Sequence, residues 1–198
     1  MAPEIELSIT RGKTFAFSLL YADDLLQYLP ITGMPSSAPC RFTVTGHGLI
    51  DGWPVRVAGL KAPAELNSAE DEYRTVLVTD ANTVEFNDTE ALGLRPYAGG
   101  GVLICSKPFD LTGWQCRGQV RDKVGGALLF EWHSDAGQTP DGPVLIEGPK
   151  VTLKIDAATT AALSWKRGVY ELELVSPTGE VLPLVAPSPV VVTSEVAV

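Results

Sequence analysis

The residues able to do acid–base or nucleophilic chemistry are few and lie far apart in the chain. The two histidines are His47, in the glycine-rich stretch 46–52, and His133, at the end of an apolar stretch. A hydrolytic triad needs a histidine beside an activated Ser or Cys, and the sequence has neither a G-x-S-x-G nor an H-E-x-x-H motif. We therefore expect both imidazoles to be structural, with the His47 ring bonding the backbone of its own turn.

The carboxylates and cysteines lack the spacing of a catalytic or metal site. Asp23–Asp24 and Asp71–Glu72 are neighbours in sequence, whereas a glycosidase needs two carboxylates facing each other across a cleft. Cys40, Cys105 and Cys116 form no C-x-x-C pair, so a tetrahedral zinc site is not expected. The sequence predicts no catalytic residue, no metal site and no cofactor.

The cysteines allow two interpretations. As free thiols they would be buried and would pack as small hydrophobic residues. Alternatively, Cys40 and Cys105 lie at the two ends of the stretch 40–105, where a disulfide could close its base. Assembly inside a cell favours the free thiols, because disulfides are rare in reducing compartments.

The composition is that of a globular protein without a concentrated cationic surface. Of the 198 residues, 45% are hydrophobic and 20% are charged, and the net charge is −9. Lys and Arg never cluster beyond pairs such as Lys166–Arg167, so nucleic acid is not an expected partner. Residues 1–4 lack the features of a signal peptide, and no apolar run approaches the roughly 20 residues of a membrane span. We expect a soluble protein made in a cytoplasm.

Many short strands joined by turns are predicted. The nineteen Gly and fifteen Pro residues are spread singly between apolar runs, which is typical of strands separated by turns. Alternating apolar residues predict half-buried strands at 14–21 and 114–121. Asp156 is the expected N-cap of a short helix over residues 157–163.

The strands are expected to form one domain that is interrupted by a second. Residues 1–30 and 106–198 predict a discontinuous antiparallel β-sandwich of immunoglobulin-like type, with the one short helix. Residues 40–105 show a separate alternation of predicted strands and turns, which predicts a small inserted β-barrel or sandwich of about five strands. Residues 31–39 carry Pro, Gly and Ser and read as a linker. The predicted fold class is all-β.

The segment before the linker is ambiguous. Asp23–Asp24 could cap a short helical turn, and Pro30 would stop it. The sequence does not decide whether residues 22–29 are helical.

Several motifs of the outer domain occur in an order that resembles a family of small tailed-bacteriophage virion proteins. That family commonly shows a "DLTGY…R" strand, a "TAAL" helix and a "GVYDLEL" hairpin, and Trp114 stands where the family usually has Tyr. The corresponding segments here are Asp110–Trp114, Gln119–Asp122, Thr159–Leu163, Gly168–Leu174 and Ser176–Gly179. Near the N-terminus, Gly12–Phe15 is similar to the family's "G-D-T-F" segment.

The insertion resembles a second module. Its motifs are similar to the small β-domain named after the first catalytic cysteine half-domain of ubiquitin-activating enzymes, which also occurs in phage tail proteins. The matching segments are Thr45–Gly52, Val55–Leu60, Glu65–Asn67 and Ala81–Phe86, followed by Tyr97 with Gly99–Gly101. No ubiquitin chemistry is implied, because the chain has no adenylation motif.

The two resemblances imply a non-enzymatic structural component of a virion, assembled in the host cytoplasm. They point to the tail, the baseplate or the fibre-attachment region, with copies of itself and other virion proteins as partners. Fold alone does not fix function, so this stands as an expectation.

Four residues are candidates for contacts with partners. Trp53 follows a turn of the insertion and is either folded back onto its own core or presented to a partner. Leu145 and Ile146 lie in a predicted loop over residues 134–149, which could close over the edge of the sandwich or thread into a neighbouring subunit. Tyr97 is the fourth candidate.

Two alternative functions remain open from the sequence. In a receptor- or carbohydrate-recognition module, Trp53, Tyr73 and Tyr97 would form a stacking platform for a host surface glycan. A cell-wall hydrolase is the other alternative, and the missing catalytic constellation argues against it.

Overall fold

The computed structural model describes residues 2–194. These residues form sixteen β-strands, one α-helix and a short 3-10 helix. The predicted all-β class with one short helix is therefore confirmed.

The first ten strands are, in chain order, β1 (Leu7–Thr10), β2 (Phe15–Leu20), β3 (Ala22–Pro30), β4 (Gly33–Ser37), β5 (Cys40–Thr43), β6 (Pro54–Leu60), β7 (Arg74–Thr75), β8 (Leu77–Asp80), β9 (Thr83–Phe86) and β10 (Gly100–Pro108), with the 3-10 helix Ala64–Leu66 after β6. The remaining elements are β11 (Gln115–Arg121), β12 (Leu128–His133), β13 (Gly142–Glu147), β14 (Lys150–Ile155), α1 (Ala157–Ala162), β15 (Arg167–Val175) and β16 (Val181–Thr193).

The chain divides into two compact units. The split unit comprises the described parts of Met1–Tyr21 and Asp110–Val198, and the inserted unit comprises Ala22–Phe109. The sequence placed the ends of the outer domain at residues 30 and 106, so the insertion is longer at both ends than expected.

Residues 22–39 form two strands of the inserted unit, which corrects both the possible helical turn and the linker. β3 pairs antiparallel with β10, with Leu29 opposite Leu103, and β4 pairs antiparallel with β5. Asp23–Asp24 therefore lies in a strand and caps no helix. Pairing with a strand far away in sequence outweighs the local capping signal, and a reading of local residues cannot detect that pairing.

One eight-stranded sheet builds the split unit, in the order β1-β16-β15-β11-β12-β13-β14-β2. Most neighbours are antiparallel, but β1 runs parallel to β16, and β12 runs parallel to β13 over two residue pairs. The edge strands β1 and β2 follow each other in the chain and are joined by residues 11–14. The sheet therefore curls until it is nearly closed, with its two sides packed around one core.

Aromatic side chains occupy the core of the split unit. Trp132 is fully buried, and its ring meets those of Phe130 and Tyr170 edge-on at centroid distances of 4.9 and 6.4 Å. The Tyr170 hydroxyl donates a hydrogen bond of 2.7 Å to the Ile5 carbonyl. Edge-to-face pairs stabilise beyond their buried area, and the hydroxyl ties the N-terminal segment to β15.

One long strand replaces two expected strands near the end of the described chain. The sequence indicated separate strands at 182–185 and 190–192, whereas β16 runs from Val181 to Thr193. Its register against β15 shifts between Tyr170 and Glu173. Such irregularities accommodate prolines, which cannot donate a hydrogen bond to a ladder.

The two chain segments of the split unit that flank the insertion are both hydrogen-bonded to the same hairpin. The Tyr21 N–H donates to the Pro149 carbonyl at 2.7 Å, and the Leu111 N–H donates to the Gly148 carbonyl at 3.2 Å. Gly148 and Pro149 connect β13 to β14. An insertion after Tyr21 therefore leaves the sheet of the split unit continuous.

The inserted unit packs two four-stranded sheets around its own core, with eight strands where about five were expected. The sheet orders are β3-β10-β6-β7 and β4-β5-β9-β8. Phe42 and Phe86 meet edge-on at 5.7 Å, and Val57 and Leu103 are buried in the same core.

The first and last strands of the inserted unit are paired with each other. β3 begins at Ala22 and β10 ends at Pro108, and these two residues stand opposite each other in the ladder. The chain thus enters and leaves the inserted unit at adjacent points, which is what an insertion at a loop tip requires.

Asp156 caps α1 as the sequence predicts. Its Oδ1 accepts a hydrogen bond of 2.7 Å from the Thr159 N–H, and this bond is the main reason that the pKa of Asp156 lies below its usual value. Within the helix, the Thr160 hydroxyl donates to the Lys13 carbonyl at 2.8 Å. The helix therefore holds the connection between the two edge strands of the split unit.

The cap predicts a pH-dependent stability. Because the folded-state pKa of Asp156 is lowered, the ionised carboxylate contributes stability above the pKa of the unfolded chain, and this contribution is lost as the pH falls through the folded-state value. Urea unfolding across this range should show Asp156→Ala less stable than the parent at neutral pH, with the difference shrinking in acid. Asp156→Asn keeps an acceptor but does not titrate and serves as the control. A difference for Asp156→Ala that does not change with pH would contradict the assignment.

Candidate functional site

His47 serves the structure of the turn in which it lies. The side chain is buried, its Nδ1 accepts a hydrogen bond of 3.0 Å from the Leu49 N–H, and its Nε2 lies 2.9 Å from the Asp80 carbonyl oxygen. Since Nδ1 accepts, Nε2 carries the proton and donates to Asp80. The predicted bonding of the ring to its turn backbone is confirmed, and both ring nitrogens are occupied.

His133 and Glu72 also bond to nearby backbone. His133 Nδ1 accepts from the Asp135 N–H at 2.9 Å. Glu72 accepts from the Ala69 N–H at 3.1 Å and pairs with Arg74 at 3.1 Å. The backbone bond and, next, Arg74 lower the pKa of Glu72. Each of these groups stabilises a loop or a strand end.

The three cysteines are buried free thiols, so the alternative of a Cys40–Cys105 disulfide is wrong. Cys40 lies in β5 and Cys105 in β10, which belong to different sheets of the inserted unit. Cys105 Sγ instead accepts from Gln27 Nε2 at 3.5 Å. Burial raises the pKa of Cys40 to about 11 and that of Cys116 to about 12, and a protonated thiol is a poor nucleophile.

Trp53 lies in the core of the inserted unit, which corrects its assignment as a contact residue. Its side chain is 1% exposed, and its Nε1–H donates to the Ser106 carbonyl at 2.9 Å. Gly52 precedes it with φ of +79°, a conformation that favours glycine and that turns the chain into β6. A stacking platform that includes Trp53 is therefore not formed.

The tyrosines of the expected platform have different environments. The Tyr97 hydroxyl lies 2.8 Å from the Ile31 carbonyl oxygen and 3.0 Å from that of Gly100. The ring is half-buried against the core. Because its hydroxyl is bonded to Gly100, Tyr97 stabilises the start of β10. Tyr73 is 49% exposed.

Leu145 and Ile146 lie in strand β13, which corrects their assignment to a loop. β13 pairs antiparallel with β14, with Ile146 opposite Val151, and the polar loop is confined to residues 134–141. Ile146 is half-buried, while Leu145 is 38% exposed. Neither residue is free to thread into a neighbour, because the ladder holds both.

An open cavity of about 420 Å³ lies on the polar outer face of the split unit. Gln119 and Arg121 line it together with Glu171. The Arg121 guanidinium donates to the Gly126 carbonyl at 2.7 Å and to Gln119 Oε1 at 2.8 Å. Its cationic group is thus committed to the protein itself.

The most prominent unpartnered surface was missed by the sequence reasoning and lies on β3. Leu25, Leu26 and Tyr28 are exposed by 74%, 49% and 61%. Within residues 2–194, β3 pairs with β10 on one side and is an edge strand of its sheet. We call Leu25–Pro30 the β3 edge. Exposed apolar side chains on a strand with a free edge form a template for a further strand.

The pairing with β10 assigns the residues of β3 to two faces. Gln27 and Leu29 stand opposite Cys105 and Leu103 and share the core side. Tyr28 and Leu26 stand opposite Ile104 and Ser106 on the other side of the sheet.

The ends of β3 carry features that limit strand pairing, and its middle does not. The register against β10 shifts between Ser106 and Pro108, which leaves Asp23–Leu25 as an irregularity. Two carboxylates at one end and Pro30 at the other are devices that protect strand edges. Leu26–Leu29 between them lacks such protection. The apolar residues of β3 are visible in the sequence, but the neighbouring acidic pair and the proline are equally typical of a capped helical turn.

No protein-family model matches the chain. No curated protein matches it either.

Residues 2–194 contain neither a helix that could span a membrane nor a cluster of metal-binding side chains. None of the helices formed by these residues is long and apolar enough to cross a membrane. No group of three or more His, Cys, Asp or Glu side chains among them could hold a metal ion.

The buried position of Trp53 predicts a large stability effect. Trp53→Ala should lower the free energy of unfolding of the inserted unit by about 3–5 kcal/mol, as for other buried aromatic residues. Trp53→Phe should cost less, because it keeps most of the apolar volume and loses the bond to Ser106. Tyr73→Ala is the control and should change stability by no more than about 0.5 kcal/mol. Urea unfolding measures all three, and equal effects of Trp53→Ala and Tyr73→Ala would contradict the core position.

Proposed function

We propose that this protein is a non-enzymatic structural component of a tailed-phage virion, in the tail, baseplate or fibre-attachment region. It assembles in the host cytoplasm with copies of itself and with other virion proteins. The ordered motifs of the outer domain, from Asp110–Trp114 to Ser176–Gly179, support the virion context.

The β3 edge is the observation that carries the assembly role. Contiguous exposed apolar residues mark interaction sites, and an unpaired strand edge gives such a site directional backbone hydrogen bonds. Leu26 and Tyr28 lie on one face of this edge. The inserted unit has its own core, so it can present this surface without disturbing the packing of the split unit.

The candidate catalytic groups are either hydrogen-bonded within the protein or protonated by burial, which supports a non-enzymatic role. Both nitrogens of His47 bond backbone groups, and the thiols of Cys40 and Cys116 have pKa values raised by burial. A general base or nucleophile must be available to a substrate. These groups instead hold the fold.

The structure does not support the alternative of a receptor- or carbohydrate-recognition module. The proposed platform depended on Trp53, which is buried and bonded to Ser106. The hydroxyl of Tyr97 is bonded to the backbone. We therefore do not advance this alternative as a second function.

Incorporation into particles tests the proposal. A phage lacking this gene is propagated on host cells that supply the unaltered chain, Leu26→Lys or Leu92→Lys, and the purified particles are analysed by quantitative mass spectrometry. The unaltered chain should be incorporated, and Leu26→Lys should reduce incorporation about tenfold or more, equivalent to about 1.4 kcal/mol of association free energy. Leu92 is 65% exposed outside the strands and provides the matched control.

Absence of the unaltered chain from the particles would contradict a virion role. Equal incorporation of Leu26→Lys and Leu92→Lys would leave the chain in the virion and contradict the role of the β3 edge. Circular dichroism of both purified variants establishes that each is folded.

A further inference from the structure

We propose that the β3 edge pairs antiparallel with the β3 edge of a second copy of this chain. The sheets β3-β10-β6-β7 of the two copies would then join into one continuous sheet. The inference rests on the proposed assembly role and adds to it the identity of one partner and the geometry of the contact.

The backbone of β3 sets the kind of partner. Within the described chain β10 pairs with one side of β3, and no strand pairs with the other. The outward N–H and C=O groups are best satisfied by another extended segment. A second copy always supplies one with matching exposed apolar residues, and a two-fold pairing closes on itself.

The charges of β3 set the direction of the pairing. In a parallel ladder, directly opposite residues turn their backbone groups in opposite directions, so two β3 edges could pair in parallel only with an odd register shift. A shift of one residue would place Asp23 of one copy opposite Asp24 of the other, and like charges directly opposite each other are destabilising. An antiparallel pair carries the two acidic ends to opposite ends of the ladder. The acidic pair therefore disfavours the parallel arrangement with the smallest shift and tolerates the antiparallel one.

The exposed side chains set the register. In an antiparallel pair, directly opposite residues turn their backbone groups either both toward the partner strand or both away from it. Backbone direction alternates along a strand, so in every allowed register one residue lies opposite the same residue of the second copy, and the register is centred on that residue. Centring on Gln27 places Leu26 of each copy opposite Tyr28 of the other and sets Asp24 opposite the uncharged Pro30. Centring on Leu26 would instead bring Tyr28 against Asp24, and centring on Tyr28 would bring Leu26 against Pro30. The register centred on Gln27 alone brings the exposed apolar residues together twice.

Sedimentation equilibrium of the purified chain tests the self-association. The average mass should rise with concentration from that of one copy to that of two. Leu26→Glu and Tyr28→Lys should each weaken self-association about tenfold or more, since each sets a charge against an apolar residue. Leu92→Lys, on an exposed residue outside β3, should associate like the unaltered chain.

The double variant tests direction and register. With Leu26→Glu and Tyr28→Lys combined, each introduced carboxylate meets an introduced ammonium of the other copy in the register centred on Gln27, and self-association should recover at least about tenfold from the single variants. In a parallel pair the odd register shift keeps the introduced carboxylates and ammonium groups of the two copies from standing opposite each other, and association would stay weak. A dimer whose double variant is no stronger than either single variant overturns the proposed pairing.

Hydrogen exchange on the unaltered chain keeps the test valid if a variant does not fold. The amides of residues 25–29 should exchange more slowly at concentrations where the dimer forms. A chain that stays single at all concentrations, or a dimer with unchanged exchange in this segment, overturns self-pairing. A single-copy chain that still enters particles overturns self-pairing alone, whereas a dimer that is absent from particles overturns the virion role alone.

Discussion

The antiparallel pairing of β3 with β10 is the constraint on which the rest of the inserted unit depends. A unit inserted into another must begin and end at adjacent points, and the ladder meets this condition by placing Ala22 opposite Pro108. The same ladder positions Leu103 in the core, and among residues 2–194 no strand pairs with the other side of β3. The geometry that makes the insertion possible therefore also creates its exposed edge.

Most polar side chains with well-defined partners hold backbone segments in place. His47 closes its turn, Asp156 caps α1, and the hydroxyls of Tyr97 and Tyr170 bond to carbonyls of segments distant in sequence. Such bonds are what buried polar groups require, and they leave these groups little capacity for a substrate. Internal packing does not account for the apolar β3 edge.

The sequence could predict features whose partners lie within a few residues. The period-two strands, the cap at Asp156 and the turn bonding of His47 are of this kind. Trp53 bonds to Ser106, 53 positions away, and β3 takes its conformation from a strand more than seventy residues further along. Local patterns do not report such pairings, so they indicate neither the exposed edge of β3 nor the buried position of Trp53. Leu145 was misplaced for the same reason, since β14 decides its backbone.

Electron cryomicroscopy of the particles tests most directly whether the β3 edge is a contact surface in the assembled virion. We expect density for this chain in a symmetric position, with a further strand beside β3 and with Leu26 and Tyr28 covered by it. Density in which β3 of every copy faces solvent would contradict the role of the β3 edge, because the chain would then assemble through another surface.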